Sequence, residues 1–366
     1  MNFEKPNIIP ERNREDWKEE VFKYFKGELH AHSTYSNRQE MGGGKEDMVH
    51  SETRLLSYAE KLGLDFLYFS EHSSDPGNPK ELEEDHPICQ SLLKQQEKIN
   101  EINKSNKYKI KAYQAVEANM LFNNEEKAVI DVPNSILNKM DLVVASRHRT
   151  NLPTTPENIK KIFLAAANNK EVDIIGHPYR YIEFYENDWR YFKKCFKNKE
   201  IGPKLQELED KGDWDSIKQI IGKNEIKDEK MREYNALFNN LKKDYWDAWS
   251  EILQTMEDNN KGFEINLSSF DPNKEYFRTL LKKTTDYKKL KYSIVFDFHN
   301  FDQLERYDVK NNKNNNPEGI KNPARSKGVS RLLELIDLLK ELKIGPERII
   351  NSSQENMEKF LEERNK

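Results

Sequence analysis

Cysteine is nearly absent from this chain of 366 residues: Cys89 and Cys195 stand alone, in no paired spacing, which excludes a disulfide framework and a thiolate zinc site. A reducing interior is the matching expectation. No apolar run is long enough to cross a bilayer, and the opening MNFEKPNIIPERNREDWKEE carries no apolar leader core, so a cytoplasmic protein without membrane contact is expected. Charge of one sign is also missing. The 60 Lys and Arg against 64 Asp and Glu leave a net charge of -4, so no global basic field draws the chain onto nucleic acid. Any anionic partner has to be attracted locally. The glycine run Gly42 to Gly44, followed by Lys45, lacks Walker spacing and reads as a loop rather than a phosphate cradle.

Aromatic residues, by contrast, are plentiful: 18 Phe, 16 Tyr and 5 Trp can build a substantial core. The length admits a single large β/α barrel with an insertion. Short β-type runs ending in an ionisable residue recur along the chain, each followed by helical or loop material. They are GELHAH (Gly27 to His32), DFLYFSEH (Asp65 to His72), IKAYQAVE (Ile110 to Glu117), DLVVASRH (Asp141 to His148), VDIIGHP (Val172 to Pro178), GFEINLSS (Gly262 to Ser269) and KYSIVFDFH (Lys291 to His299). Between them, helical periodicity follows Ser51 up to Gly63, runs through Gln90 to Lys104, starts again at Pro156, and returns near Tyr245 to Met256 and over Val329 to Leu342. Strand and helix alternate as βαβ units require.

IGPERIIN reads as a last short strand, and the Asn-rich stretch Asn311 to Gly319 as a loop. The expected organisation is an N-terminal arm (1–26) and an α/β domain (27–366), a distorted seven-stranded TIM-like barrel interrupted by a helical insertion (181–243). Aromatic runs in the insertion, YFKKCF and DYWDAW, suit a satellite core, a cap over the pocket or a protein-partner surface.

Six of the eight histidines, His30, His32, His72, His148, His177 and His299, fall at or just past the C-terminal ends of these strands. Glu117, Glu264 and Asp297 occupy the same kind of position. In a parallel barrel those ends converge on the face where active sites are built. Residues i and i+2 of a strand face the same side, so His30 pairs with His32 and Asp297 with His299. A lone strand-end histidine is ordinarily a satisfied polar residue, but six in register point to a shared centre. Mixed imidazole and carboxylate ligands suit Zn, Mn or Fe better than Ca or Mg. Two such ions can activate a water and stabilise attacking and leaving oxygens at phosphorus. Glu264 and Asn266 alternate on one strand, so Glu264 could orient a ligating histidine. His50 reads as a solvated loop residue, with substitution for a missing metal ligand as the alternative, and His86, beside Pro87, as a helix-start residue. Arg147, Arg149 and Arg180 lie near the same rim and are the candidate phosphate-binding cations.

LHAHSTYS, SEH, VEAN, ASRH, GHP, EINLS and DFH, in this order from Leu29 to His299, resemble the successive motifs of the PHP family of polymerase and histidinol phosphatase domains. The resemblance implies up to three metals in a distorted seven-stranded barrel. Carried over by residue, it implies that His30, His32, Glu117 and Asp297 hold one ion. Glu117 would bridge to a second, bound also by His148 and His177, while His72 and His299 would hold a third. The chain departs from the family pattern after HxHSxxS: where the family places an Asp, or a His one residue later, it has Asn37 and Arg38, so Asn37 could ligate only through its amide oxygen.

The resemblance implies hydrolysis of a phosphate ester by activated water, first of a phosphomonoester such as a histidinol-phosphate-like or nucleotide metabolite. Glu117, His148, His177, Asp297 and His299 would form the catalytic set. A nuclease acting on nucleic-acid ends is the alternative within the family. A non-catalytic, metal-stabilised interaction module is the alternative outside enzymes. An amidohydrolase barrel also opens with HxH but expects a bridging lysine where this chain has Glu117.

Overall fold

The computed structural model describes residues 16–37, 50–74, 80–148, 156–179, 204, 216, 247–268, 275–297 and 327–364. It is an α/β TIM-like barrel, parallel, seven-stranded and nearly closed, with helices alternating around it. The strands are β1 (Gly27–Ala31), β2 (Phe66–His72), β3 (Lys111–Phe122), β5 (Leu142–Ser146), β6 (Ile174–Gly176), β7 (Gly262–Asn266) and β8 (Lys291–Val295), neighbours in that order. A short β4 (Ala128–Ile130) folds back antiparallel on the far end of β3, an extension the sequence reading did not foresee.

Around the sheet lie α1 (Asp16–Tyr24), α2 (Glu52–Leu62), α3 (Pro87–Lys104), α4 (Asn134–Leu137), α5 (Pro156–Asn168), α6 (247–258), α7 (Glu275–Thr284), α8 (Lys327–Glu341) and α9 (Gln354–Glu363). The local sequence explains their ends. Gly63 closes α2 in the left-handed conformation, φ 87°, that an L side chain rarely adopts. His86 caps α3, its Nδ1 accepting from the Ile88 N–H, so its expected helix-start role is met. The helix α7 was not anticipated. All of the expected insertion except Lys204 and Ser216 lies outside the described residues, as do Gly42 to Lys45 and Asn311 to Gly319. Among the described residues no helix is long and apolar enough to cross a membrane.

Alternation along the strands sorts the core into two layers. Val116, Ala118, Val143, Ile175, Phe263 and Ile294 face outward under the helices, and Val21, Tyr24 and Phe25 join them from the N-terminal segment. Phe66, Tyr68, Ala115, Leu142, Val144, Ile174 and Val295 face inward. They fill the barrel up to the site, and Met357 and Phe360 of α9 pack against them from the N-terminal end.

Closure between the last and first strands does not use a strand ladder among the described residues; side chains stitch it. Asn351 donates from Nδ2 to the carbonyls of Gly27 (2.6 Å) and Ile294 (2.5 Å), and its Oδ1 accepts from the Ile294 N–H (3.0 Å). Glu28, fully buried, accepts from the backbone N–H groups of Phe296 (2.9 Å) and His30 (2.8 Å). Burial pushes the Glu28 carboxyl up to about 8, against those hydrogen bonds and the nearby His30, which pull it down. The segment expected as a last strand is instead two 3-10 turns, Pro346–Arg348 and Ile350–Ser352, with one parallel bridge from Ile349 to Tyr292. Pro346 at the first turn position lacks the N–H that a ladder needs, and Asn351 supplies through its amide what the ladder would have supplied.

Asn351→Ala is expected to lower unfolding free energy by about 3 kcal/mol in urea titration, because it orphans several buried backbone groups. A wild-type midpoint would contradict the seam. Glu28 adds a pH dependence: its folded pKa lies above the unfolded value, so its contribution to stability is complete below about pH 4.5 and is lost as pH rises through about 8. Wild type should therefore exceed Glu28→Gln in stability at about pH 5, with the difference shrinking or reversing at about pH 8.5. A pH-independent difference would refute this.

Candidate metal centre

Above the apolar layer the inward side chains at the C-terminal end of the barrel turn polar, among them His72, Glu117 and Glu264. The first two ligand types reach it through a bulge. Between Glu28 and Ala31 the register of β1 advances three residues while β2 advances two, from Leu67 to Phe69. The extra residue lets Leu29 stay in the inner layer while His30 and His32 still point into the pocket, with ring centroids 5.0 Å apart. His72 and Glu117 lie side by side in the β2–β3 register. His148 follows β5 by two residues. His177 and Asp297, just past β6 and β8, take positive φ values of 25° and 56°. Such conformations cost about 1–3 kcal/mol each in ordinary residues and cluster at functional sites. Gly176 is required beside them: a Cβ there would lie 2.1 Å from Ser146 Oγ.

Glu117 is the hub. Its Oε1 lies 2.9 Å from His177 Nε2, 3.3 Å from His30 Nε2 and 3.4 Å from His148 Nε2. Its Oε2 lies 2.7 Å from His72 Nδ1 and 3.6 Å from His32 Nε2. Asp297 Oδ1 lies 3.3 Å from His32 Nε2 and 4.0 Å from His30 Nε2. Burial alone would raise the Glu117 carboxyl, but His148, His30 and His72 hold it well below the usual carboxylate range. Burial works against a charged His30, yet Glu264, Glu117 and Asp297 together raise its pKa well above the ordinary value.

Among the described residues three groups have ligand atoms within 4.8 Å of one another: His30 with His32 and Asp297, His32 with His72 and Glu117, and Glu117 with His148 and His177. Buried His30 Nε2 and Glu117 Oε2 have these close ion-pair approaches but no well-aligned hydrogen bond among the described residues. Five imidazoles crowding one buried carboxylate cannot all carry protons without stacking positive charge in a low dielectric. The donor set therefore fits divalent cations at shared points, and these clusters could bind metal ions.

A second ring of groups holds the ligands. Glu264 Oε2 lies 2.8 Å from His30 Nδ1, as expected of an orienting carboxylate, and its Oε1 accepts from the His177 backbone N–H at 3.0 Å. Asn266 Nδ2 donates to Glu264 Oε1 and to Asp297 Oδ2, both at 3.1 Å. Tyr179 fixes that strand end through bonds to the Asn266 backbone. Glu71, on the outer face of β2, accepts from Ser33 Oγ, Ser36 Oγ and Gln95 Nε2, pinning the turn Thr34–Asn37 that follows the first two histidines. Sequence reasoning missed Glu71. The nearest hint was its place between Ser70 and His72, and its partners sit far away in the chain.

Of the remaining expected residues, His299, Arg149 and Arg180 lie outside the described residues, as does the side chain of Asn37. Arg147 is 3% exposed, next to His148. His72 joins His32 and Glu117 in the described geometry. His50 corrects an expectation: it is 7% exposed rather than solvated, because the Thr34 N–H bonds to its carbonyl and draws the segment against the turn.

No family model matches the chain. A probable phosphatase of Clostridium acetobutylicum is 31% identical over 133 residues, which is 35% of this chain and 48% of that protein. A probable phosphatase of Caldanaerobacter subterraneus is 38% identical over 71 residues, 19% of this chain and 27% of that protein. The chain thus spans less than half the length of the curated relatives it matches.

The purified protein is expected to keep divalent metal through dialysis, and Glu117→Ala to lose most of it, as read by elemental analysis. Equal metal content in the two proteins would remove Glu117 from the centre.

Proposed function

We propose that this protein is a metal-dependent phosphoesterase of the PHP type, acting first on a phosphomonoester of a small metabolite. The observation that carries this reading is the convergence of His30, His32, His72, His148 and His177 on the single carboxylate of Glu117, with Asp297 beside His30 and His32. The printed name of both relatives, probable phosphatase, supports the same chemistry.

In this reading His30, His32 and Asp297 hold one ion, His148 and His177 a second, and Glu117 is shared between them. His72, with Glu117 Oε2 and His32 beside it, would serve a further ion, to which His299 and Asn37 remain candidate ligands. Zn, Mn or Fe suits such a shell. Bound ions would supply the positive charge that activates a water and neutralises the phosphoryl oxygens.

The rest falls to the chain. Glu264 and Asn266 keep His30 and Asp297 aimed, so the ligands need not reorganise when substrate arrives. The side chains of His72 and His148 are each 10% exposed, against 0% for His30 and His32, so the ester enters from their side. A cluster imidazole would hand a proton to the leaving oxygen, and His299, outside the described residues, is a candidate for that role by sequence. Arg149 and Arg180 would add charge to the phosphate beyond the ions, and Arg147 would act from beneath the rim. A cytoplasmic setting and a protein partner bound through residues 181–243 belong to the same proposal.

A panel of phosphomonoesters, nucleoside bisphosphates and labelled single-stranded DNA, assayed with Mn or Zn added, tests it. Turnover of a monoester, abolished in Glu117→Ala and His148→Ala, is the expected result. Cleavage of DNA alone would move the activity to nuclease, and unchanged activity in both variants would reject the centre as catalytic.

A further inference from the structure

A buried chain of polar groups leads from His148 away from the metal centre. His148 Nδ1 lies 2.6 Å from Asn119 Oδ1. Asn119, 0% exposed at the upper end of β3, spends its amide hydrogens on the other side, with Nδ2 donating to Asp131 Oδ2 at 2.9 Å and to Ser74 Oγ at 3.0 Å. Asp131, also 0% exposed, follows β4 directly. It accepts from the Asn119 backbone N–H at 2.8 Å and from the hydroxyls of Ser73 and Ser74, each at 2.7 Å. Turning the Asn119 amide over would set its oxygen against the Asp131 carboxylate, so the network permits one orientation. In that orientation only an acceptor faces His148, and the imidazole must carry its proton on Nδ1. Nε2, which faces Glu117 Oε1 at 3.4 Å, then presents a lone pair.

We propose that Asp131 and Asn119 are positioning residues that lock the tautomer and ring orientation of His148 for metal binding, and that β4 carries Asp131 to that place. The inference rests on the metal-centre reading above and assigns residues that the motif set leaves without a role. Neither side chain bonds the Glu117 carboxylate among the described residues; their side-chain link to the centre runs through His148, while Ser73, bonded to both, touches the Glu117 backbone carbonyl. A defect in them should therefore be selective: the ion held by Glu117, His148 and His177 weakens, and the ion held by His30, His32 and Asp297 does not.

The test is zinc binding to the full chain, measured by competition with a chromophoric chelator and by elemental analysis, together with melting temperature. Asn119→Ala and Asp131→Asn are each expected to weaken one class of zinc site by about 10–100-fold and leave the other within about twofold of wild type. The pair Asn119→Asp with Asp131→Asn exchanges carboxylate and amide along the chain. It restores an acceptor to His148 and a donor between the two positions, and so should recover zinc affinity that Asp131→Asn alone has lost. Wild-type affinity at every site in Asn119→Ala overturns the proposal. So does an equal loss at all sites with a fallen melting temperature and no recovery in the double variant, which marks a packing role. If wild type itself binds no zinc, the metal-centre reading fails and the proposal with it. That outcome is distinct, because it appears before any variant is made.

Discussion

A carboxylate that is 1% exposed persists as an anion only where opposite charge or strong donors surround it, and Glu117 is surrounded by five imidazoles. Taking such a group out of water without compensation costs several kcal/mol. The architecture of the upper barrel brings that compensation to one point from four strands, β1, β2, β5 and β6. The bulge in β1, the positive φ at His177 and Asp297, and the missing side chain at Gly176 are local departures from regular strand geometry. Each of them re-aims or makes room for a ligand. The apolar layer beneath keeps the surrounding dielectric low and the interactions strong.

Four further buried carboxylates stand behind the hub, and each has its own partners. Glu28 fastens the barrel seam, Glu264 aims His30, Glu71 ties down the turn after His32, and Asp131 anchors the amide beside His148. All four receive a backbone N–H, and Glu71, Glu264 and Asp131 take side-chain donors or an imidazole as well, so none is a bare buried charge. Burial nonetheless raises Asp131 to about 6, despite the hydroxyls of Ser74 and Ser73 and the Asn119 amide that favour its charged form.

The strands and the ligands at their ends were legible in the sequence because both follow a period of two and a fixed direction. LHAH placed two side chains on the pocket face by i, i+2 spacing, and SEH and GHP one each by position at a strand end. What stayed hidden depends on contacts between distant segments. Glu71 and Asp131 match no periodic rule, since their partners lie on other elements. The three-residue β4 is too short for a pattern, and α7, with charged residues at both ends, lies close to undescribed chain. IGPERIIN has strand composition, yet Pro346 and the seam geometry turn it into 3-10 structure. His50 looked solvated because the turn that covers it is made by Thr34, sixteen positions earlier.

The seam also constrains the order of assembly. Gly27 and Ile294 are joined through Asn351, so the first strand waits for a residue 324 positions further along the chain. During synthesis the β1 edge stays open until Asn351 has been made, and contacts of such long range make the final docking slow relative to local helix formation. Ligands from opposite sides of that edge, His30 on one strand and Asp297 beyond the other, meet only when the ring shuts. Any ion held by that pair would therefore be captured late, by chains that have finished folding.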